Sequence, residues 1–203
     1  MKMKRLYLVM TLLLVSLLAG CAAYRPSNVD HVCHIFEGET DWYEAAVDSN
    51  QKWGTPIWVM MAIMRQESHF IDDAKPAFRW FFIIPLGRSS SAYGYAQVLD
   101  ETWNEYKRAT KNHGADRDDF ADAIDFIGWY THATQRKLNI SKWDAYHQYL
   151  AYHEGRGGYQ RGSWKNKKWL KNVANKVKNY ASSYNSQLKT CHKELDDEID
   201  DWF

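Results

Sequence analysis

The sequence predicts a mostly α-helical domain built around one central, buried helix. Apolar residues recur at the three- and four-residue spacing of helices in several long segments, whereas the alternation typical of strands is weak throughout. One segment, IWVMMAIM at positions 57–64, is apolar on every side of the helix that it would form. Because a helix without a polar face is usually surrounded by protein, this segment is expected to lie at the centre of the core.

Start and stop signals give the order of the helices. The first is expected to begin near Asp41, a capping residue, and to run to Trp53. Thr55 and Pro56 supply an N-cap followed by proline at the first helical position, which predicts that the central helix runs from residue 57 to about His69. Further helices are predicted at about 99–111, 118–138, 141–153 and 167–195.

Three segments interrupt this helical pattern. Residues 71–91 contain two prolines, a glycine and a run of three serines, so they predict a long, aromatic-rich loop of the kind that is often functional. The sequence EGRGGY at 154–159 is expected to end the preceding helix. Residues 193–203 are strongly acidic and predict a solvated C-terminal tail.

Residues 1–20 have the features of an export signal, because a basic start precedes an apolar stretch that ends in small residues. The stretch is shorter than a transmembrane helix needs. The sequence LAGC at 18–21 resembles a bacterial lipobox, which implies cleavage before Cys21 and lipidation of that cysteine. Since Ala22 follows rather than an aspartate, the expected location is the periplasmic face of the outer membrane. A plain cleaved signal peptide is the alternative.

The rest of the chain is expected to hold a linker over residues 21–32 and one domain over 33–192. Without the basic residues of the signal, acidic and basic side chains nearly balance, so nothing indicates a nucleic-acid partner. Cys33 and Cys191 are the cysteines that remain besides Cys21. Because exported proteins meet an oxidising compartment, these two are expected to form a disulfide; two free buried thiols are the alternative.

Three short motifs carry the chemistry: QES at 66–68, SAYGYAQV at 91–98 and AYHEG at 151–155. Their order and contexts resemble the lytic transglycosylases of the soluble-transglycosylase type. That family has glutamate and serine at the end of a buried helix, then a motif running from glycine to glutamine, then alanine, tyrosine, asparagine, alanine and glycine. The resemblance covers roughly residues 50–185 and implies a lysozyme-like helical domain whose central helix carries the catalytic glutamate.

The resemblance assigns roles residue by residue. Glu67 matches the sole catalytic acid and base, His153 replaces the usual asparagine, and Glu154 replaces an alanine. The family also has a tyrosine of the last helix near the acid, for which Tyr180 is the expected residue, with Tyr184 or Val173 as alternatives. The predicted substrate contacts are Ser68, Ser91, Gly94, Tyr95, Gln97, Tyr152, His153, Gly155 and Tyr180.

The resemblance also implies the reaction. Lytic transglycosylases cleave the β-1,4 bond between N-acetylmuramic acid (MurNAc) and N-acetylglucosamine (GlcNAc) in peptidoglycan, and they form 1,6-anhydro-MurNAc without water. The acid must be protonated near neutral pH, and because Glu67 follows an apolar helix, burial is expected to raise its pKa. The implied partners are peptidoglycan strands and, through the lipid anchor, a membrane, with any envelope protein complex unidentified.

Two alternatives stay open at this point. A hydrolytic muramidase of the goose-type lysozyme kind shares the fold and the acid, and Asp72, Asp73 or Glu154 would then orient a water molecule. A lipoprotein that keeps the fold only to bind glycan or to scaffold an envelope assembly is the other. The histidines include no i, i+4 pair with an acidic partner, so neither a metal nor another cofactor is predicted.

Overall fold

A computed structural model of the protein describes residues 23–82 and 84–200, which form seven α-helices and one antiparallel hairpin. The predicted export signal and Cys21 lie outside the described residues. None of the described helices combines the length and the apolar character that a bilayer crossing requires. In chain order the elements are α1 (Val32–Gly38), α2 (Thr40–Trp53), α3 (Ile57–Ser68), β1 (Phe78–Phe81), β2 (Ile84–Arg88), α4 (Asp100–Thr110), α5 (Phe120–Leu138), α6 (Ala145–Arg161) and α7 (Lys168–Asp200).

Helix α3 is the centre of the domain. Every side chain from Val59 to Met64 is 0% exposed, and the helix packs against α2, α5, α6 and α7. The prediction of a mostly α-helical fold around a central buried helix is therefore confirmed. The start of the helix differs in detail from the prediction. Pro56 is the N-cap, and the Thr55 hydroxyl shares a hydrogen bond of 2.8 Å with the Thr131 hydroxyl instead of capping the helix.

Helices α1 and α7 tie the two ends of the described chain together. Cys33 on α1 and Cys191 on α7 form the predicted disulfide, with Cα atoms 6.1 Å apart. Beside it, the Gln187 side chain accepts a hydrogen bond from the backbone of Val32 (2.8 Å) and donates one to the carbonyl of Asp30 (3.0 Å). A bridge between residues 158 positions apart strongly restricts the unfolded chain, so it stabilises the folded domain.

The segment predicted as a long loop contains the β-hairpin. Strands Phe78–Phe81 and Ile84–Arg88 pair antiparallel. Pro85 and Gly87 had indicated a loop because both residue types weaken a strand. In a two-stranded hairpin each strand has an unpaired edge, where the missing N–H of a proline is tolerated, so these residues do not prevent pairing.

The predicted linker packs on the domain in its described part. The ring of Tyr24 lies edge-on to that of Trp42, with ring centroids 5.1 Å apart. Arg25 forms ion pairs with Asp72 at 2.8 Å and with Asp73 at 2.9 Å. These contacts join residues 23–32 to α2 and to the segment that directly follows α3.

The predicted acidic tail is helical up to residue 200, where α7 ends. Leu195 is buried, and the Tyr43 hydroxyl donates a hydrogen bond of 2.6 Å to Asp196. Leu188, Leu195 and Ile199 continue the apolar face of α7 through the acidic run. That helical spacing decides the local structure, because the apolar residues pack on the core while the acidic residues 196–198 between them stay on the exposed side of the helix.

Candidate active site

A cleft with a volume of about 540 Å³ opens beside the C-terminal end of α3. Four parts of the chain line it: the end of α3, the segment before α4 together with the first turn of α4, the middle of α5 and the middle of α6. Of the residues predicted from the sequence, the lining includes Glu67, Gln97, Tyr152, His153 and Gly155. The fold therefore brings all three sequence motifs to one surface.

Glu67 lies in the last turn of α3 and is only partly exposed to the cleft. Met60 and Met64 on the same helix are fully buried, and the helix ends at His69, which adopts the left-handed conformation with φ of 53°. Burial raises the pKa of Glu67 from 4.5 to about 7, in the predicted direction, and a hydrogen bond from Tyr149 partly offsets the rise. A substantial fraction of the Glu67 carboxyl is therefore protonated near neutral pH.

Two tyrosines of α6 face Glu67. The Tyr149 hydroxyl hydrogen-bonds to the carboxyl, and burial holds the pKa of that phenol far above its usual value, so it remains a donor. Tyr152 is close enough for the charge of Glu67 to raise its pKa further, and its hydroxyl donates to the Ala96 carbonyl at 2.6 Å. Sequence reasoning missed Tyr149. Its position could have predicted this role, because Tyr149 precedes Tyr152 by three residues and the two therefore lie on one face of the helix.

Replacing Tyr149 with phenylalanine is expected to raise the pKa of Glu67 above about 7, because the hydroxyl favours the charged carboxylate. The measurement is the pH titration of the Glu67 carboxyl carbon by NMR in ¹³C-labelled protein. Tyr146→Phe is the matched control, since Tyr146 lies on the same helix and its ring contacts His147. Equal titration midpoints in the native protein and Tyr149→Phe would contradict the hydrogen bond.

The second motif, SAYGYAQV, forms a tight turn that carries Gln97 into the cleft wall. Gly94 has a φ of 75°, and a β-carbon there would lie 2.0 Å from the carbonyl oxygen of Arg117. The side-chain amide of Gln97 donates to the carbonyls of Ala74 (2.8 Å) and Gly94 (2.9 Å). Gly94 is thus required by close backbone packing rather than by space for a ligand, and Gln97 joins two segments beside the cleft.

The third motif, AYHEG, bends α6. Gly155 has φ of 70° and ψ of 153°, which is not helical, yet helical structure resumes and continues to Arg161. The predicted helix end is therefore a kink inside a longer element. Since a β-carbon on Gly155 would have nothing within 4 Å, the bend leaves open space at this point of the cleft.

Glu154, next to the bend, is a second carboxylate of the cleft lining. Burial opposes its ionisation, but hydrogen bonds from Lys167, Ser163 and His153 outweigh that effect and lower the pKa of Glu154. The Lys167 ammonium lies 2.7 and 2.9 Å from the two carboxylate oxygens. Glu154 is therefore held ionised in an ion pair. Across the described part of the chain, no group of three or more potential metal ligands comes together.

Two predicted substrate contacts are buried away from the cleft lining. Ser68 is 4% exposed, and its hydroxyl donates to the Met64 carbonyl of its own helix at 3.4 Å. Tyr95 is 3% exposed and packs edge-on against Trp42 and Phe120. Both side chains therefore face the core rather than the cleft.

Ser91 and Tyr180 also have structural partners. The Ser91 hydroxyl accepts a hydrogen bond from the backbone of Asp100 at the start of α4 (3.2 Å). The Tyr180 ring stacks under the Arg65 guanidinium at 3.6 Å. Residues two apart in a helix project from different faces, so α7 meets the Arg65 side of α3 rather than the Glu67 side. The tyrosine beside Glu67 is Tyr149 of α6, not one of the last helix.

Comparison with known proteins shows the family of the chain. The chain matches the family described as a transglycosylase SLT domain over residues 9–191, a range that contains all three motifs. A comparison with curated proteins gives no match. The chain therefore belongs to the transglycosylase SLT domain family, whose lytic transglycosylase domains bind and cleave the glycan strands of peptidoglycan.

Proposed function

We propose that this protein cleaves the β-1,4 bond between MurNAc and GlcNAc and leaves 1,6-anhydro-MurNAc, with Glu67 as its sole acid and base. One observation carries the proposal. Among the described residues that line the cleft, Glu67 is the carboxyl whose pKa burial raises to about 7, whereas an ion pair lowers the pKa of the other carboxyl, Glu154. Only Glu67 has the proton that a general acid must donate.

The proposed reaction uses the same carboxyl twice. Glu67 first donates its proton to the bridging oxygen while the bond between that oxygen and the anomeric carbon of MurNAc breaks, which releases GlcNAc with a free hydroxyl. The acetamido oxygen of the same MurNAc bonds to the anomeric carbon in its place. The Glu67 carboxylate then takes the proton of the 6-hydroxyl, whose oxygen displaces the acetamido oxygen and closes the anhydro ring. The carboxyl ends protonated, and no water is consumed.

The surrounding side chains support both stages of this reaction. Tyr149 stabilises the carboxylate that exists between the two proton transfers, because its hydroxyl donates to the charged form. Gln97 and Tyr152 are fixed by hydrogen bonds to backbone carbonyls, so they form a rigid wall against which a sugar is oriented. A cleft wall that does not rearrange on binding holds the 6-hydroxyl near the carboxylate.

The ion pairs around the cleft favour this reaction over hydrolysis. A hydrolytic muramidase needs a group that orients water, and three carboxylates were candidates. Glu154 is bonded to Lys167, while Asp72 and Asp73 are both paired with Arg25. Asp72 and Asp73 also lie outside the cleft lining, so of the three only Glu154 is in the cleft, and its ion pair with Lys167 makes it a weaker base.

The masses of the products test the proposal. Purified sacculi are digested with the mature chain, and the soluble muropeptides are analysed by mass spectrometry before and after borohydride reduction. We expect products that end in anhydro-MurNAc, which are lighter by one water than hydrolysis products and are not reduced. Products that carry that water and are reduced by borohydride would contradict the proposal and support the muramidase.

We also propose that the chain is anchored through lipid on Cys21 at the periplasmic face of the outer membrane. The lipobox-like LAGC at 18–21 supports this location. The expected result is that cells fed a labelled fatty acid incorporate it into the native protein, which sediments with outer membranes. A Cys21→Ser chain that keeps the label and still sediments with membranes would exclude the anchor.

A further inference from the structure

A tryptophan stands exposed next to the cleft residue His153. Trp169, in the first turn of α7, is 55% exposed. Its ring centroid lies 5.2 Å from that of His153, and the two rings are nearly perpendicular, at 77°. The Trp169 side chain is therefore held on one side by a residue of the cleft and is open to solvent on another.

The start of α7 is fixed to the cleft rim. Lys167, two residues before Trp169, bonds to both oxygens of the cleft residue Glu154 at 2.7 and 2.9 Å. Leu170, the next residue after Trp169, is fully buried in the core. With an ion pair on one side and a core contact on the other, the backbone of Trp169 has little freedom, so the ring is pre-organised for binding.

The ring also continues a line of aromatic residues that begins at the candidate acid. Tyr149 hydrogen-bonds to Glu67, the ring of His153 lies 6.4 Å from that of Tyr149, and Trp169 follows His153. Because His153 lines the same cleft as Glu67, a ligand that extends from Glu67 past His153 reaches Trp169 at the rim. A glycan strand is such a ligand, because it is long and each pyranose ring offers an apolar face.

We propose that Trp169 and His153 form a further sugar-binding subsite at the rim of the cleft, where one pyranose ring of the glycan strand stacks on Trp169. This inference rests on the proposed substrate but not on the proposed chemistry of Glu67. Glu154 orients His153, since His153 Nδ1 lies 3.2 Å from a Glu154 oxygen. Because an ionised carboxylate accepts the Nδ1 proton, Nε2 is the ring nitrogen left to bond to a sugar hydroxyl or an acetamido group.

The test measures binding separately from cleavage. The full mature chain carrying Glu67→Gln, which removes turnover, is titrated with purified, peptide-free glycan strands, and affinity is measured by calorimetry. Adding Trp169→Ala is expected to weaken binding by about 3- to 10-fold, as for loss of one ring-stacking contact. Trp169→Phe should restore most of the affinity, because phenylalanine keeps an aromatic face for the sugar.

Trp143 provides the matched control. It is 64% exposed and packs beside Trp58, with ring centroids 5.3 Å apart. Trp143→Ala should leave glycan affinity unchanged. The inference is overturned if Trp169→Ala binds as tightly as its parent, or if Trp143→Ala weakens binding equally, since the strands would then adhere to any exposed tryptophan. Failure of the anhydro-product assay would leave this binding result standing, so the two proposals fail separately.

Discussion

Replacing Glu67 with glutamine is expected to slow the release of soluble fragments from purified sacculi by about 10²- to 10⁴-fold, the usual contribution of a general acid or base. The upper end applies because, in the proposed reaction, one carboxyl serves both proton transfers. Glutamine keeps the shape of the side chain but neither donates nor accepts the proton. Glu37→Gln is the control, since Glu37 is an exposed glutamate on α1, outside the cleft lining.

The same substitution has a second expected effect, on stability, with a definite pH dependence. The folded-state pKa of Glu67 is raised to about 7, so the folded state binds this proton more tightly than the unfolded state does. The stabilisation is complete below the unfolded pKa, near 4.5, and is lost as the pH rises through about 7. At pH 8 the native protein buries a charge that the glutamine variant lacks, so the variant should be more stable by about 1–3 kcal/mol.

Denaturant unfolding at two pH values measures this difference. We expect Glu67→Gln to unfold at a higher denaturant concentration than the native protein at pH 8 and at nearly the same concentration at pH 4. A variant that is more stable yet nearly inactive would identify Glu67 as a site where folding stability is sacrificed for catalysis. Digestion by the variant at the native rate would instead show that Glu67 is not the acid. A native protein that releases no fragments would support the non-catalytic, glycan-binding alternative.

The core and the burial of Glu67 were predictable from the sequence because both depend on local composition. The helix from Ile57 to Met64 is apolar on every side, so it is stable only in the core. A carboxyl at its end is therefore partly desolvated, which raises its pKa. The hairpin at 78–88 was missed because proline and glycine usually weaken strands, and the two-strand context that tolerates them is not visible in sequence.

The neighbours of Glu67 were harder to predict because they depend on how helices meet. Tyr180 was expected beside the acid by family resemblance, but α7 presents that ring to Arg65, and α6 supplies Tyr149 instead. Which face of one helix contacts another follows from packing across the whole domain, not from spacing within a motif. The residues around Glu67 could therefore be predicted only in part from the sequence.

The reason for the glycine at position 94 was likewise not visible in its motif, because it depends on packing against Arg117. Its replacement has the second large expected effect, a loss of folding stability. Replacing Gly94 with alanine is expected to lower the free energy of unfolding by about 3–5 kcal/mol. Three effects contribute: the strain of a positive φ, the steric overlap with Arg117 and the loss of a backbone hydrogen bond. The added β-carbon would lie 2.0 Å from the Arg117 carbonyl oxygen, which itself accepts a hydrogen bond of 3.1 Å from the backbone of Tyr95. Denaturant unfolding measures the loss.

Gly162→Ala separates the clash from the backbone strain. Gly162 also has a φ of 75°, but a β-carbon there would meet only the flexible side chain of Lys165, 3.1 Å away. Its loss of stability should be about 1–2 kcal/mol, the cost of a positive φ for a residue other than glycine. The excess for Gly94→Ala then measures close packing against Arg117. Equal losses, combined with weaker glycan binding by Gly94→Ala alone, would mean that the Arg117 backbone moves aside and that the motif glycine serves the substrate after all.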